Sequence, residues 1–358
     1  MTNRNRPTRS NFALLPVFVL VICLESCSPR DRQGQSVPSN AIADASIVAE
    51  SLAISTSSID VLLPLSGVSS RSSPTPPIPS TSSPVSSSEI QPKVAGANVG
   101  WTRNLSIAGV AYDLYIPANY GNDLPCAVML PGWDFDKQRW VNETNLQTLA
   151  DTYGYILVLP QMGQTLYESA YYPETEMRWH PSLPGGEFIR NYFIPTMQQR
   201  HGLLISGQHN TLIGLSTGGR GVALIALENP GLFVAGASFS GDFSQDRTPD
   251  DRLMTAVYGA YDGYPERWTG RDNPQRRVSE WRMPLYLSHG TADDIVPESQ
   301  SHGFYQALVN AGSGHRVEYH SVAGAGHDFS FWGGELGSAF EFFERVRGSE
   351  VGAMKSHH

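Results

Sequence analysis

The stretch Gly214-Leu215-Ser216-Thr217-Gly218 decides how this chain folds. It lies between an apolar run over 211–215 and a segment of helical spacing over 218–227. A serine held on so sharp a strand-to-helix turn is strained, and a glycine two residues to either side lets neighbouring backbone come close. Gly219 and Gly221 then let the helix lie near the sheet. The turn presents the Ser216 hydroxyl as a nucleophile at the C-terminal end of a strand.

Outward from this turn the chain alternates short apolar runs with helical segments. Residues 107–116 alternate around Ala108-Gly109 and predict an antiparallel hairpin at a sheet edge. Apolar runs follow at 126–130, 155–159, 211–215, 234–238, 284–288 and 316–321, each typical of a strand covered on both faces. Helical spacing falls over 142–153, 187–200, 218–227, 298–311 and 335–346. The expected fold is α/β: a doubly wound, mostly parallel eight-stranded sheet, with its site at the strands' C-terminal ends.

A serine hydroxyl needs a base and an orienting carboxylate, following it here in the order acid then histidine. The segment His289-Gly290-Thr291-Ala292-Asp293-Asp294 follows an apolar strand and places Asp293 in the loop at its end. Asp294 beside it and Asp242 after the preceding strand are the alternatives, and His289 is read as a structural residue bonding backbone. For the base, His327 stands on the Gly-rich loop Gly324-Ala325-Gly326-His327 just past the last strand. His302, His315 and His320 fall in a helix, a turn and a strand, and read as surface or packing residues. An oxyanion needs two N–H donors. These are expected from the backbone of Thr217 and from that of Trp133 in Pro131-Gly132-Trp133-Asp134, with the Trp133 side chain either lining a pocket or packing.

The first hundred residues carry no such pattern. Arg4, Arg6 and Arg9 precede an apolar run of 13 residues, 12–24, too short to span a membrane but suited to a signal peptide. Leu24-Glu25-Ser26-Cys27 is like the lipobox of exported bacterial proteins and marks Cys27 for lipid attachment, ordinary cleavage near Ser26 being the alternative. From Ser28 to Gly100 there is no Phe, Trp or Tyr, and 66–88 is almost wholly Ser, Thr and Pro, which reads as an extended disordered tether. The expected organisation is 1–26 signal peptide, 27–100 linker, 101–347 catalytic domain and 348–358 flexible tail.

Charged residues make up only 16 % of the 358, against about 25 % in an average soluble chain. The tether accounts for much of that deficit. With 25 Lys+Arg against 34 Asp+Glu and no basic stripe, nucleic-acid binding is excluded. Cys23, Cys27 and Cys126 are too few for a disulfide framework and lack zinc-ligand spacing, so no metal and no cofactor is expected.

From about 107 to 346 the residues resemble the α/β-hydrolase fold and, within it, the esterase D-like family, which includes S-formylglutathione hydrolases, feruloyl and acetylxylan esterases and the secreted mycolyltransferases. The resemblance rests on Pro131-Gly132-Trp133, Gly163-Gln164-Thr165-Leu166-Tyr167, Ser216 in its turn, and His327 followed by Phe329 and Trp332. Pro131 stands where many members have histidine. The segment from His289 to Pro297 is shared with prolyl-oligopeptidase-type peptidases and other esterases. The resemblance implies Ser216 as nucleophile, Asp293 as acid, His327 as base, and Trp133 and Thr217 as the oxyanion donors.

The expected activity is therefore that of an exported serine ester hydrolase, held to the membrane only through a lipid anchor. Its substrate would be a small-molecule or polymer-linked ester. Trp133, Tyr167, Trp179 and Trp332, with Tyr171 and Tyr172, are candidates for an aromatic substrate-binding rim, each with core packing as its competing reading. Residues 242–282 leave room for a small cap only. The competing readings are acyl transfer to a sugar or lipid alcohol, a peptidase, and a non-catalytic binding module.

Overall fold

Alternation along each strand sorts its side chains onto two faces, and both faces of this sheet are apolar. The computed structural model describes Val94 and residues 98–355, with side chains up to Ser349. The signal-peptide, lipobox and Ser/Pro-tether readings lie outside the described residues.

The strands are β1 (Gly100–Ile107), β2 (Val110–Ile116), β3 (Cys126–Leu130), β4 (Ile156–Pro160), β5 (Asn210–Leu215), β6 (Ala235–Phe239), β7 (Leu285–Gly290) and β8 (Val317–Val322). They form one sheet in the order β1-β2-β4-β3-β5-β6-β7-β8. The β1–β2 hairpin and the β2–β4 pair are antiparallel. Every pair from β4 to β8 is parallel. The expected doubly wound sheet is thus the observed one.

Helices cover both faces. They are α1 (Arg139–Asn142), α2 (Leu146–Tyr153), α3 (Gly185–Phe188), α4 (Ile194–Thr196), α5 (Thr217–Glu228), α6 (Arg252–Tyr258), α7 (Pro265–Thr269), α8 (Ser299–Asn310) and α9 (Phe329–Lys355). On one face Cys126, Val128, Leu130 and Leu212 meet Phe188, Phe193, Val222, Leu224, Phe304 and Leu308. On the other, Ala127, Met129, Ile213 and Leu215 meet Leu146, Ala150, Trp332, Leu336 and Phe340. A third, smaller cluster joins Leu166 to Met254, Val257, Tyr258 and Trp268, and so seats the short helices of the 242–282 segment over the strand ends.

Two details depart from the sequence reading. The expected plain helix over 187–200 is α3 and α4 interleaved with two wider π-helical stretches, Ile189–Phe193 and Met197–His201. Pro195 in α4 removes a backbone N–H and forces the ladder to widen around it. Val94 is buried in the core and β1 starts at Gly100, both ahead of residue 101, where the folded domain was expected to begin. Val94 stands among Lys93, Ala95, Gly96 and Ala97, with no aromatic or periodic neighbour to signal it.

His209, just before β5, is buried edge-on to Tyr155, with no hydrogen-bond partner for its Nε2. Burial, with the nearby Arg347 charge, pushes its imidazole down to about 4. Between the ordinary histidine value of about 6.5 and that lower one, the unfolded chain binds a proton that the folded chain refuses. Stability therefore falls as pH drops through this window, by up to about 1.4 kcal/mol per pH unit. His209→Asn should remove this slope between pH 6.5 and 4, read from urea midpoints of the two proteins.

Candidate active site

Ser216 has φ +54° and ψ −125°, and its N–H donates to the Phe239 carbonyl of β6 at 2.9 Å. The glycines around it are dictated by contact. A Cβ on Gly214 would collide with the Gly218 carbonyl, and one on Gly218 with the carbonyls of Leu130 and Pro131. A Cβ on Gly219 would sit 2.9 Å from the Phe239 carbonyl oxygen. The turn can therefore press between β3 and β6 only because these positions lack side chains.

His327 Nε2 lies 3.0 Å from Ser216 Oγ, and its Nδ1 lies 2.7 Å from Asp293 Oδ2. A carboxylate accepts only, so Nδ1 carries the proton and Nε2 is left to accept from the serine hydroxyl. Asp293 Oδ1 accepts the N–H groups of Ile295 at 3.1 Å and Val296 at 2.9 Å. Burial acts to raise the Asp293 carboxyl, but hydrogen bonds from His289, His327 and the Val296 N–H outweigh it and hold the group far below the ordinary carboxylate range. Of the three acids considered, only Asp293 reaches His327. Asp294 is exposed, and Asp242 faces Arg220 at 3.8 Å instead.

His289 does bond backbone as expected, Nε2 lying 2.8 Å from the Val296 carbonyl. Its second role was not read from the sequence. The same Nε2 is 3.3 Å from Asp293 Oδ2, while Nδ1 meets Ser301 Oγ at 2.7 Å. Both neighbours of Nε2 accept, so this nitrogen donates, and a second imidazole steadies the carboxylate from behind. The His-x-x-x-Asp spacing at a strand end was the available signal.

The loop after β3 runs against the serine: a Cβ on Gly132 would lie 3.2 Å from Ser216 Cβ. Thr217 is the first residue of α5, whose opening N–H groups have no intrahelical acceptor. Trp133 is half-buried against the cluster of Leu166, Met254 and Trp268.

Two of the expected rim aromatics are elsewhere. Tyr167 is only 1 % exposed, packed against α5 at Gly221 with its hydroxyl donating to the Pro131 carbonyl. Trp332 is likewise 1 % exposed, edge-on to the His327 ring at a centroid distance of 5.0 Å, its Nε1 donating to Ser240 Oγ. Both support the site from beneath rather than line it. Tertiary packing of α5 and α9 over the loops, which local sequence does not register, is the reason. Trp179 remains partly exposed, with its ring edge-on to Phe188.

Arg220, one turn past the serine, is completely buried. It donates to the Leu166 carbonyl, Gln245 Oε1, Tyr258 Oη and the Asp272 carbonyl. It thereby ties the nucleophile helix to the cap segment. A charge inside the otherwise apolar 219–227 run was its signature in the sequence.

Sheet order, strained turn and the Ser216–His327–Asp293 contacts are those of the α/β-hydrolase fold. The profile of the prolyl oligopeptidase family matches residues 188–348, the part carrying these three side chains. The diacylglycerol acyltransferase/mycolyltransferase Ag85A of Mycobacterium bovis is 21 % identical over 252 residues, covering 61 % of this chain and 70 % of its own. Among solved structures, an S-formylglutathione hydrolase from Agrobacterium tumefaciens superposes with TM-score 0.55 at 16 % identity, over 71 % of this chain and 99 % of its own. A ferulic acid esterase superposes with TM-score 0.52 at 18 % identity, over 70 % and 99 %. These likenesses show the α/β-hydrolase fold.

Since Asp293 is held ionised by folding, its contribution to stability is complete above the unfolded carboxylate value of about 3.9 and is lost as pH falls below it. Asp293→Asn should cost about 2 kcal/mol or more at pH 7. The gap to the natural protein should narrow below pH 4, as measured by chemical denaturation at both pH values.

Proposed function

We propose that this chain is an exported serine hydrolase of carboxylic esters. The observation that carries the reading is the pair of distances at His327, 3.0 Å to Ser216 Oγ and 2.7 Å to Asp293 Oδ2. Ser216 Oγ attacks the ester carbonyl carbon as His327 Nε2 takes its proton. Asp293 stabilises the imidazolium so formed, and the N–H groups of Trp133 and Thr217 receive the oxyanion. Collapse of the tetrahedral adduct expels the alcohol, which leaves with the proton from His327. Water then attacks the acyl-enzyme, gives its proton to His327, and the acid departs as Ser216 is restored. Trp133 and Trp179, both partly exposed, are the aromatics retained as substrate contacts.

Acyl transfer to an alcohol is the second reading, favoured by the sequence match to a protein named as an acyltransferase. The two differ only in what enters the acyl-enzyme. A small-molecule or polymer-linked ester fits either.

Export rests on the Arg-led apolar run over 12–24, and lipid attachment on Cys27 at the end of Leu24-Glu25-Ser26-Cys27. Among the described residues no helix is long and apolar enough to cross a membrane. Mass spectrometry of the mature N-terminus in a bacterial host should find a diacylglyceryl-modified Cys27, and an unmodified residue there removes the anchor from the reading.

Ser216→Ala should lower hydrolysis of p-nitrophenyl acetate or butyrate by about 10³-fold or more while the circular dichroism spectrum stays native. Full activity in that folded variant would refute the assignment. Product analysis with added glycerol or glucose then separates the two readings: free acid alone identifies the hydrolase, and a dominant acylated acceptor identifies the transferase.

A further inference from the structure

The loop carrying Tyr167 is anchored more heavily than a connection between elements requires. Tyr167 has φ +56°, a left-handed backbone uncommon for a bulky residue. Strain of this kind persists where surrounding structure over-determines it, and it gathers at functional sites. Here the buried Glu168 side chain is the enforcing group. Its Oε2 accepts from Thr165 Oγ1 at 2.7 Å and from the Leu166 N–H at 2.9 Å, and its Oε1 from the Gly185 N–H at 3.1 Å. The Tyr167 N–H donates to Thr165 Oγ1 at 2.9 Å, and Arg220 Nε donates to the Leu166 carbonyl at 3.3 Å.

This anchoring delivers one hydroxyl to one carbonyl. The Tyr167 ring lies so close to α5 that a Cβ on Gly221 would be 2.8 Å from its Cγ, and its Oη donates to the Pro131 carbonyl at 2.9 Å. The Pro131 ring fixes φ on one side of that residue, and the tyrosine bond fixes the carbonyl on the other. Beyond it the Gly132 carbonyl accepts the Phe135 N–H at 3.2 Å, and the Asp134 N–H donates to the Gly163 carbonyl at 2.9 Å. Between these tied groups, the Trp133 N–H has no acceptor among the described residues. A donor that cannot turn away is what a developing oxyanion needs, because no reorganisation is then required during reaction.

We propose that Tyr167 is a positioning residue for the oxyanion loop, acting through the Pro131 carbonyl on the Trp133 N–H. This rests on the ester-hydrolase reading and deepens it. The tyrosine does not touch substrate. It fixes the Pro131–Gly132 peptide, from which the peptide carrying the Trp133 N–H follows through Gly132.

Tyr167→Phe keeps the ring on Gly221 and removes only the hydroxyl. With p-nitrophenyl acetate, kcat per active site, counted by fluorophosphonate titration, should fall about 10–100-fold with KM within about twofold. The affinity of a phenyl trifluoromethyl ketone, whose Ser216 adduct carries the oxyanion, should fall by the same factor. The apparent pKa of the kcat/KM profile should not move, since His327 and Asp293 are untouched. A merely structural tyrosine would reduce the number of titratable sites and leave per-site kcat and ketone affinity as they were. Gly221→Ala, which displaces the same ring from its other face, should give the same split of kcat against KM and serves where the phenylalanine variant does not fold. Unchanged per-site kcat, or a fall in kcat without loss of ketone affinity, overturns the proposal. A wild-type chain inactive on all esters overturns the hydrolase reading and this one with it. An active wild type, silenced by Ser216→Ala but indifferent to Tyr167→Phe, overturns the clamp alone.

Discussion

The close approach of backbone to backbone around Ser216 is the constraint on which the rest of the structure depends. The turn is strained, with φ +54° at a residue that has a side chain, and it presses against the Leu130 and Pro131 carbonyls on one flank and β6 on the other. Three glycines make room for it. The cost of the strain, of order 1–3 kcal/mol, is carried by the two apolar cores that clamp β5 and α5 in place. Rigidity here is a by-product of burial: nearly every residue of α5 from Thr217 to Ile225 is inaccessible.

Charge placement follows the same logic. Asp293 is buried as an anion, which is tolerable only because two imidazoles and two backbone N–H groups surround its oxygens. Arg220 is buried as a cation on the other side of the serine, with four acceptors and the Asp242 carboxylate nearby. Each charge is tied to a different piece of chain. Asp293 holds the loop after β7 to the loop after β8, and Arg220 holds the 165–168 loop and the 242–282 cap to α5. Removing either would leave unpaired buried groups in several loops at once, which is why these residues organise the site beyond their own positions.

How much of this could be read from the sequence depended on the range of the interaction. Strands and helices announce themselves by local period, so the sheet and its order of elements were legible. The residues Ser216, Asp293 and His327 were also legible, because each sits at the end of a recognisable strand and the chain order serine, acid, histidine constrains the choice. Tyr167 and Trp332 were misplaced for the opposite reason. An aromatic beside a site looks the same in sequence whether it faces the substrate or the core, and only the packing of α5 and α9 decides. The role of His289 was half visible, since its bond to backbone was expected while the second contact of Nε2, to Asp293, was not. The widened turns around Pro195 were signalled by a proline whose effect on the helix was left unread.

The loops after β3 and β4 draw these threads together. In sequence, Pro131 is one residue of the short stretch Pro131-Gly132-Trp133, and Tyr167 is one aromatic among many. In the structure they meet, and each makes sense of the other. Proline gives up its N–H and any rotation about N–Cα, so its carbonyl becomes the remaining handle on the following peptide. A buried tyrosine, itself locked by Glu168 and Arg220, takes that handle. Burial pushes its phenol well above the usual value, which favours the protonated, donating form. Strain at Tyr167, a buried acid at Glu168 and a buried cation at Arg220 would each be an unexplained expense alone. Taken as one assembly, they fix the orientation of a single peptide beside the nucleophile.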